Sequence, residues 1–553
     1  MLSRVVRIDL SRGKVSEETA PPEYASLGGR GLTSAVVSHE VDPRCDPLDP
    51  ENKLVFAPGL FGGSVIPNSG RLSVGAKSPL TDGIKESNVG GITGQLLAGH
   101  GIKALLVEGR SEAGAKYVHI CDEGVFIKHA GADASVGNYA LHAALRERHG
   151  STAGVLSAGP AGMHRMLCAG IAGSDSEGRP SRYAGRGGLG AVMGSKGLRA
   201  IVIEPSKGPR PAATPALKAA VQEFVKAIRE TPVVGLLHGL GTAGVIDLAC
   251  EMGSLPAESF RRGRFEDFRN INGNKLAELQ RGRNGKTGHR CMPGCVVACS
   301  NVFLNERDEH VTSALEYETL CLLGSNLKIG DIDVIASLDR ACDDAGVDTI
   351  ELGGTLGVAM DQGLIRYGDG ERALQIIQEI ARGMETGRLY GNGVVHLARA
   401  VGAKRIPATM GQGHPGHDPR TLNGVGVTYA TSPMGADHTA GLVFSPDKAN
   451  AVEQSREHQL YAMLCDTLGL CIFVSQTVPV LARLFGGYCG REVSADDMRE
   501  WGLSLIREEV AFNERAGVPP IKERMSRLFR EEPLPETGNL FDTDIDAMKR
   551  IFE

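Results

Sequence analysis

The sequence predicts an α+β protein in which a β-rich N-terminal domain is followed by two mainly α-helical domains. Residues 1–208 contain short apolar runs separated by turn residues, a pattern typical of strands. Beyond them, apolar residues recur at i, i+3 and i+4 over longer stretches, which indicates amphipathic helices. At 553 residues the chain is also too long for a single core. We therefore expect domains at residues 1–208, 209–404 and 405–553.

The first domain is predicted to consist of strands and turns, with few helices. Two hairpins are expected, at the turns 11–13 and 122–124, because each turn places a Gly between two alternating runs. The predicted strands are 5–10, 14–17, 53–57, 72–76, 104–108, 117–121, 125–129, 154–157 and 200–204.

Helices are predicted to dominate the rest of the chain, which begins after a Pro-rich linker at residues 206–211. The second domain is expected to contain helices 216–230, 332–345, 350–362, 373–385 and 394–401. The third domain opens with a segment rich in Gly, His and Pro, residues 410–418, and continues with predicted helices 446–464, 478–485 and 495–514. No repeat of solenoid period is evident.

Composition argues against several classes of function. The net charge of -6 among 23% charged residues is unexceptional, so neither nucleic acid nor a membrane surface is indicated as a partner. The N-terminus lacks the apolar core of a signal peptide, and no uninterrupted run of about 18 apolar residues occurs. We expect a cytoplasmic protein whose cysteines are ligands or buried thiols rather than disulfides.

Three of the 12 cysteines, Cys291, Cys295 and Cys299, lie at four-residue spacing. A Cys-rich run with one distant cysteine is a common way to hold zinc or an iron–sulfur cluster. If the run is helical after Pro293, this spacing places all three sulfurs on one face. The alternative is that three buried cysteines pack as small apolar residues, which gives no reason for the spacing.

A Gly-rich stretch follows the predicted turn at residues 174–181. The sequence Gly185-x-Gly187-x-x-Gly190 matches a dinucleotide-binding pattern, but the residues before it are polar instead of forming a buried strand, so NAD binding is disfavoured. Exposed N–H groups flanked by Arg182, Arg186 and Lys196 suit phosphate or another anion better. In a second such stretch, Arg71 and Lys77 lie at opposite ends of one predicted strand and are candidates to flank the same anionic ligand.

Residues 343–348 and 466–471 share the form Asp-x-x-Gly-(Val/Leu)-(Asp/Cys), and each lies at the end of a predicted helix, where Gly favours a left-handed cap. Two unrelated caps are one interpretation. The other is that two helix ends approach one ligand symmetrically, with Cys471 as the distant fourth thiolate for the cysteine run. Cys465 is the rival for that role.

These stretches resemble the tungsten- and molybdenum-dependent aldehyde ferredoxin oxidoreductases. The resemblance runs nearly end to end, from residues 27–32 (LGGRGL) through residues 46–54 (DPLDPENKL) and the Gly-rich loop to residues 466–471. It implies that the β-rich domain forms a saddle for a metal held by the dithiolenes of two pterins, covered by the two helical domains. The implied reaction converts an aldehyde to a carboxylic acid and passes electrons through a 4Fe-4S cluster to ferredoxin or an iron–sulfur subunit.

The resemblance also implies roles for individual residues. Contacts to the pterin phosphates and their bridging magnesium are implied for Arg71, Asn88, Gly90, Arg182, Ala184, Gly185 and Arg186, with the carbonyls of Asn88 and Ala184 touching the magnesium. Asp343 and Asp348 would hydrogen-bond one pterin, and Asp466 and Leu470 the other. The implied cluster ligands are Cys291, Cys295, Cys299 and Cys471, and the implied catalytic residues that handle protons are Glu318 and His438.

The sequence departs from the family pattern in three places. In the family's Cys-x-x-Cys-x-x-x-Cys, the first place is Gly288 here, so we interpret the run that ends at Cys299 as a shifted version of the same set. The family's Glu-x-x-His iron site between subunits corresponds to Ser337 and Arg340, so we expect that iron to be absent and a homodimer to be less strongly implied. Residues 439–442 are small and apolar, so substrate preference is not implied.

Three alternatives remain open at this point. A catalytic bis-pterin subunit of a larger reductase, acting for example on aromatic acyl thioesters, would use the same cofactor residues with a different pocket. Radical chemistry on a three-cysteine cluster would need Cys-x-x-x-Cys-x-x-Cys, but Ala298 stands at the third place. A non-enzymatic scaffold braced by a zinc site of four cysteines would be colourless, whereas an iron–sulfur cubane is brown.

Overall fold

The computed structural model of the chain describes residues 3–208 and 213–553, so residues 209–211 of the predicted Pro-rich linker lie outside the described residues. Two six-stranded sheets make up the N-terminal part, and helices make up most of the remainder. This arrangement confirms the predicted α+β class with its β-rich first domain.

All nine predicted strands of the first domain are present. Its strands are β1 (Arg4–Asp9), β2 (Lys14–Thr19), β3 (Leu54–Pro58), β4 (Leu72–Lys77), β5 (Ile84–Val89), β6 (Ile102–Glu108), β7 (Lys116–Cys121), β8 (Gly124–His129), β9 (Gly154–Ala158), β10 (Ile171–Gly173), β11 (Arg182–Ala184) and β12 (Leu198–Ile203). Its helices are α1 (Pro22–Ala25), α2 (Gly29–Glu40), α3 (Thr93–Gly99), α4 (Asn138–His149), α5 (Pro160–Met163) and α6 (Leu189–Ser195). The expectation of few helices is wrong. The first ten residues of α2 are all buried, so that helix shows no amphipathic period.

The two sheets have the same topology. Their strand orders are β2-β1-β6-β3-β4-β5 and β8-β7-β12-β9-β10-β11. Both parallel pairs, β1 with β6 and β7 with β12, carry a register irregularity at the same place. Helices α2 and α4 span 12 residues each and occupy the same place in the chain order. The first domain therefore consists of a first half-repeat (4–108) and a second half-repeat (116–204), with edge strands β5 and β11 in contact.

The remainder of the described chain is mainly helical. Its helices are α7 (Pro215–Glu230), α8 (Pro232–Leu240), α9 (Ile246–Met252), α10 (Gly273–Gly282), α11 (Tyr317–Leu322), α12 (Ile332–Ala345), α13 (Thr349–Asp361), α14 (Gly370–Ala381), α15 (Glu385–Gly391), α16 (Val394–Ala400), α17 (Asn423–Thr431), α18 (Ala451–Leu468), α19 (Val478–Cys489), α20 (Ala495–Ala516), α21 (Ile521–Arg524), α22 (Arg527–Glu531) and α23 (Ile545–Lys549). Its strands are β13 (Lys286–His289), β14 (Ser300–Leu304), β15 (His310–Ser313), β16 (Ala408–Thr409) and β17 (Gln412–Gly413). The predicted helix 373–385 is split between α14 and α15, because Gly383 adopts φ +68°.

Three hydrophobic cores position the site. One lies between the two sheets, and the largest joins the helices that follow α8. The third contains Cys295, Cys299, Cys465 and Cys471, where α7, α8, α18 and α19 meet the first domain. Among the described residues, no single helix is long and apolar enough to cross a membrane, although the bent pair Pro232–Leu240 and Thr242–Met252 passes that test jointly.

Candidate functional site

The two Asp-x-x-Gly motifs end α12 and α18 and meet equivalent places in the two half-repeats. Gly346 and Gly469 adopt the predicted left-handed conformation, with φ +79° and +80°. Gly469 packs against Gly59 after β3, and Gly346 packs against Gly159 after β9. A Cβ at either partner would overlap the backbone of the motif, so glycine is required on both sides. This geometry favours a symmetric approach of two helix ends over two unrelated caps.

The first aspartate of each motif meets the second residue of the facing helix. Nη1 of Arg30 in α2 lies 3.8 Å from Oδ2 of Asp466. The Tyr139 hydroxyl in α4 donates to Oδ2 of Asp343 over 3.3 Å. Burial raises the pKa of both carboxyls well above the usual range, in spite of Arg30 beside Asp466. A carboxyl with a raised pKa can donate a hydrogen bond as well as accept one, which suits a heterocyclic ligand.

Arg186 of the second half-repeat and Asp348 of the first Asp-x-x-Gly motif face each other with unused hydrogen-bonding atoms. Nη1 of Arg186 lies 3.5 Å from Oδ2 of Asp348, and its Nη2 donates to the carbonyls of Gly413 (2.5 Å) and Ala436 (3.0 Å). Nε and Nη1 of Arg186 and Oδ2 of Asp348 are nevertheless buried without a hydrogen-bond partner. Burial raises the pKa of Asp348 to about 6, against the opposing effect of Arg186. Buried polar atoms without partners are rare, so these atoms indicate a ligand.

Arg71, Asn88 and Gly90 lie together at the ends of β4 and β5. The Arg71 guanidinium donates to the side-chain oxygen of Asn88 and, over 3.4 Å, to its carbonyl. A Cβ at Gly90 would lie 3.6 Å from Nη1 of Arg71 and 3.8 Å from Sγ of Cys291. Gly90 therefore borders a space that is lined by a guanidinium on one side and a thiol on the other.

Arg182, Ala184 and Gly185 occupy the corresponding edge of the second half-repeat. Nη2 of Arg182 donates to the Ser300 hydroxyl over 2.9 Å, while its Nε is buried without a partner. Ala184 ends β11, and a Cβ at Gly185 would meet only the Tyr183 side chain (3.8 Å) and Oδ1 of Asp348 (3.9 Å). The two edges, which are in contact through β5 and β11, thus each present an arginine and a glycine.

Two lysines that the sequence placed near anions are engaged elsewhere. Nζ of Lys77 donates to the carbonyl of Cys45 over 2.7 Å, at the far end of β4 from Arg71. Nζ of Lys196 donates to the carbonyls of Asn52 and, over 3.3 Å, Pro50. Backbone carbonyls of the loop that precedes β3 therefore accept both ammonium groups. The Gly-rich loop is also not a dinucleotide turn, because the strand before it, β11, pairs antiparallel with β10, and the strand after it, β12, lies three places away in the sheet.

The cysteine run is a loop between β13 and β14, so the helical arrangement considered from its spacing is wrong. Pro293 lacks an N–H, and Gly294 (φ +74°) and Ala298 (φ +50°) adopt left-handed conformations that end any helix. The Cys291 and Cys295 side chains still share a hydrogen bond, which raises the pKa of Cys291 and lowers that of Cys295.

Asn68 joins this loop to Cys471. Its N–H donates to the carbonyl of Gly294 (3.2 Å), and its Oδ1 accepts from the N–H of Val296 (2.9 Å). Its carbonyl accepts from the N–H of Cys471 (3.0 Å), and its Nδ2 lies 3.5 Å from Sγ of Cys295. Sequence reasoning saw only a Gly-rich turn here. Asn68, at φ +59°, makes the connection with its side-chain amide towards the cysteine loop and its backbone carbonyl towards Cys471.

The thiols are spaced too widely for one zinc ion. In the described part of the chain, no three of the four sulfurs of Cys291, Cys295, Cys299 and Cys471 lie within 4.8 Å of one another. Four thiolates with Zn–S bonds of about 2.3 Å would place their sulfurs about 3.8 Å apart. The rival Cys465 lies within α18 and hydrogen-bonds the Tyr461 hydroxyl.

Glu318 and His438 come together with His417, which sequence reasoning did not single out. Oε1 of Glu318 lies 3.3 Å from Nε2 of His417 and 3.8 Å from Nδ1 of His438. The other oxygen accepts the N–H of Gly416 over 2.6 Å, which fixes the carboxylate. Oε1 of Glu318 and Nδ1 of both histidines are buried without a hydrogen-bond partner. These three side chains can pass protons among themselves and to a bound ligand.

His417 belongs to the Gly/His/Pro-rich segment that opens the third domain. Its ring stacks on Tyr317 at 4.6 Å between centroids, and burial lowers its pKa to about 4, so the imidazole is neutral at pH 7. The sequence signal that could have found it is the pair His414 and His417 among glycines, since buried imidazoles near polar partners are common at functional sites.

Lys85 fixes the turn that carries His438. Its Nζ lies 2.5 Å from Oδ2 of Asp437, and both side chains are buried. Asp437 caps the turn by accepting the N–H of Thr439 over 3.1 Å. Burial favours the neutral acid, but the charges of Lys85 and Arg186 hold the pKa of Asp437 well below its usual range.

These residues fit the cofactors that the family resemblance implies. Unpartnered arginine nitrogens suit pterin phosphates, raised-pKa carboxyls suit pterin rings, and the open space beside Gly90 and Gly185 admits a ligand close to the backbone. The thiols of the cysteine loop adjoin that space at Cys291, so a cluster held there would lie next to a pterin.

Comparison with known proteins supports this fit. The family "Aldehyde ferredoxin oxidoreductase, N-terminal domain" matches residues 5–205, and "Aldehyde ferredoxin oxidoreductase, domains 2 & 3" matches residues 219–552. The tungsten-containing aldehyde ferredoxin oxidoreductases of Pyrococcus horikoshii and Pyrococcus furiosus are each 32% identical over 97% of this chain and 92% of their own. The solved active-site complex BamBC of benzoyl coenzyme A reductase shares the fold, with a TM-score of 0.82 at 18% identity over 100% of this chain and 93% of that one.

Proposed function

The chain belongs to the aldehyde ferredoxin oxidoreductase family, and from that premise we propose that it oxidises an aldehyde to a carboxylic acid at a tungsten bis-pterin centre. Electrons leave through a 4Fe-4S cluster to ferredoxin or another iron–sulfur protein in the cytoplasm. The observation that carries the proposal is the symmetric docking of two Asp-x-x-Gly motifs on the two half-repeats, with the cysteine loop joined to one of them through Asn68.

The cofactor is held from both half-repeats. The tungsten centre, when bound, supplies a Lewis acid and a two-electron acceptor. The residues that bind the pterins and their phosphates with magnesium are Arg71, Asn88, Gly90, Arg182, Ala184, Gly185, Arg186, Asp343, Asp348, Asp466 and Leu470. The support for this set is that Gly90 faces Arg71, that Gly185 faces Asp348, and that Arg182, Arg186 and Asp348 carry buried polar atoms without partners.

Glu318 and His438 handle the protons. Aldehyde and water give a carboxylic acid, two protons and two electrons, so a base must accept a proton as water adds to the carbonyl carbon. Oε1 of Glu318 is free for this role because Gly416 occupies only the other oxygen. His438, 3.8 Å from this oxygen, takes the proton onward, and neutral His417 lies 3.3 Å from the same oxygen.

Electrons leave on the side of the second motif. Cys471 directly follows Leu470, so a pterin contact and a cluster ligand are neighbours in the chain. The cluster ligands in this proposal are Cys291, Cys295, Cys299 and Cys471. Pro293 and Gly294, at the tip of the cysteine loop, are exposed, which offers an acceptor protein a close approach to the cluster.

The test is elemental analysis and turnover of protein purified without oxygen. We expect about one tungsten and about four irons per chain, together with aldehyde-dependent reduction of a viologen dye. Glu318→Gln should lower kcat by about 10²- to 10⁴-fold with unchanged tungsten and iron. Glu371→Gln, a change of an exposed residue on α14, is the control and should have no effect. Zinc in place of tungsten and iron, or a fully active Glu318→Gln variant, would refute the proposal.

A further inference from the structure

Two histidines and a glutamate meet at the outer end of the second half-repeat, on its own sheet and away from the proposed cofactor residues. His119 lies on β7, His149 ends α4, and Glu204 follows β12. Oε1 of Glu204 lies 2.6 Å from Nε2 of His119 and 3.6 Å from Nδ1 of His149, and the two rings are 4.1 Å apart. One ligand atom from each residue lies within 4.8 Å of the other two.

Because the two half-repeats share one topology, the residues of the first half-repeat that are equivalent to these three can be identified. In the parallel strand pairs, Val5 lies opposite Ala104 in the first half-repeat, and Tyr117 lies opposite Ala200 in the second. Val5 therefore corresponds to Tyr117, and Ala104 corresponds to Ala200. The residues two and four positions further along these strands correspond in the same way. Counted in this way, and from the ends of the two 12-residue helices, His119 corresponds to Arg7, His149 to Glu40 and Glu204 to Glu108.

In the first half-repeat these positions form an ion-pair network together with Lys53. Glu40 accepts Nη1 of Arg7 and Nζ of Lys53, each at 2.7 Å, and Nζ of Lys53 lies 3.4 Å from Glu108. Arg7 also pairs with Glu18 at 2.7 Å, so two cations here hold three carboxylates together. Lys53 immediately precedes β3, and the residue that immediately precedes β9 is Ala153. The second half-repeat therefore keeps one carboxylate, replaces its partners with imidazoles and lacks the central ammonium.

We propose that a divalent transition-metal ion such as Zn²⁺ takes the place of that ammonium, bound by His119, His149 and Glu204. Two imidazoles and one carboxylate are a typical ligand set for zinc, with a fourth position left for water. The Glu204 side chain is 32% exposed, whereas the side chains of His119 and His149 are 9% and 6% exposed, so water and metal reach the site from one side only.

The surroundings orient these ligands. The Tyr117 hydroxyl lies 3.2 Å from Nε2 of His149, so a proton on Nε2 leaves a lone pair on Nδ1 facing Glu204. The Glu204 carbonyl accepts Nε2 of His100 over 2.7 Å, which anchors the backbone. Nδ1 of His119 is buried without a hydrogen-bond partner, so this ring has polar capacity that Glu204 alone does not meet.

Neighbouring charges affect when the metal binds. Burial, His119 and the cations Lys128 and Arg148 lower the pKa of His149, against the opposing effect of the Glu204 carboxylate. Arg148 is itself paired with Asp133 at 2.9 Å, which reduces its repulsion of a metal ion.

The test measures zinc on the anaerobically purified holoenzyme after equilibration with Zn²⁺ and desalting. We expect about one zinc per chain, and X-ray absorption at the zinc edge should show only nitrogen and oxygen ligands. His149→Gln and Glu204→Gln should each weaken zinc binding at least tenfold in competition with a chelator, with iron content and circular dichroism unchanged. His129→Gln, an exposed histidine on the adjacent strand β8, is the matched control and should bind zinc as the wild type does.

Two results would overturn the proposal. One is a wild-type protein that retains no more zinc than His149→Gln and Glu204→Gln. The other is zinc with sulfur ligands that persists in both variants, which would place it at the thiols. Because the readout is zinc binding, the outcome is independent of aldehyde turnover.

Discussion

Replacing Lys85 with methionine should destabilise the protein by about 3 kcal/mol and disorder the turn that carries His438. Removing one partner of a buried ion pair costs about 3–5 kcal/mol, because the other charge stays buried without compensation. Lys85 and Asp437 are 0% and 3% exposed, so solvent does not screen the loss. Asp437 keeps the N–H of Thr439 (3.1 Å) and the nearby charge of Arg186, which places the cost at the lower end of that range.

The assay is guanidinium unfolding of the holoenzyme combined with steady-state kinetics. Lys85→Met should lose about 3 kcal/mol and also lower kcat, whereas the double variant Lys85→Met/Asp437→Leu should recover much of the stability. Lys53→Met is the matched control, because its pair with Glu40 is partly exposed (16% and 18%), and should cost about 1 kcal/mol. Equal losses for the two lysines, or no recovery in the double variant, would show that the buried charge is not what Lys85 compensates.

Three further predictions concern the cofactor, the cluster and pH. Gly90→Ala should leave the apparent Tm unchanged but lower the tungsten content, because the methyl group enters the space between Arg71 and Cys291. Gly159→Ala should instead lower the Tm, because its Cβ overlaps the carbonyl of Ala345. Cys471→Ser should deplete iron in elemental analysis and Cys465→Ser should not; the reverse result would make Cys465 the ligand. Burial lowers the pKa of His142 to about 3, whereas its pKa in the unfolded chain is about 6.5. Acidification below about pH 6.5 therefore protonates only the unfolded state, and the free energy of unfolding falls by at most about 1.4 kcal/mol per pH unit. His142→Asn should flatten this decline in Tm against pH, whereas Ser174→Ala, which removes a hydrogen-bond partner but keeps the imidazole, should not.

The order of strands and helices was accessible from sequence because it depends on local period and turn chemistry. The helix Ile332–Ala345 was predicted to the residue, since Asp331 caps its start and Gly346 its end. The duplication of the first domain was not accessible. The halves share topology and register, but corresponding side chains such as Arg7 and His119 differ, because alternating apolar residues suffice to keep two such sheets in register.

The parts of the site that sequence reasoning missed depend on contacts between distant residues. Lys85 and Asp437 are 352 positions apart, and nothing near either residue indicates the pair. The predictions that Lys77 and Lys196 lie beside an anion fail for the opposite reason. Their local sequence suited an anion, but backbone carbonyls of distant segments accept both ammonium groups. Glycine positions were the more reliable guide, because a left-handed cap or a close backbone approach can be recognised locally.

The symmetry of the scaffold explains how the proposed chemistry is divided. Asp348 and Cys471 occupy the same place in the two Asp-x-x-Gly motifs, yet one is a carboxyl beside Arg186 and the other a thiol near Arg71 and Cys291. Arg186 also donates to the carbonyl of Ala436, two residues before His438, so the first motif lies on the side of the residues that we propose to handle protons. The second motif faces the thiols. A duplicated scaffold can therefore hold two similar pterins while one substitution between its motifs sends protons to one side and electrons to the other.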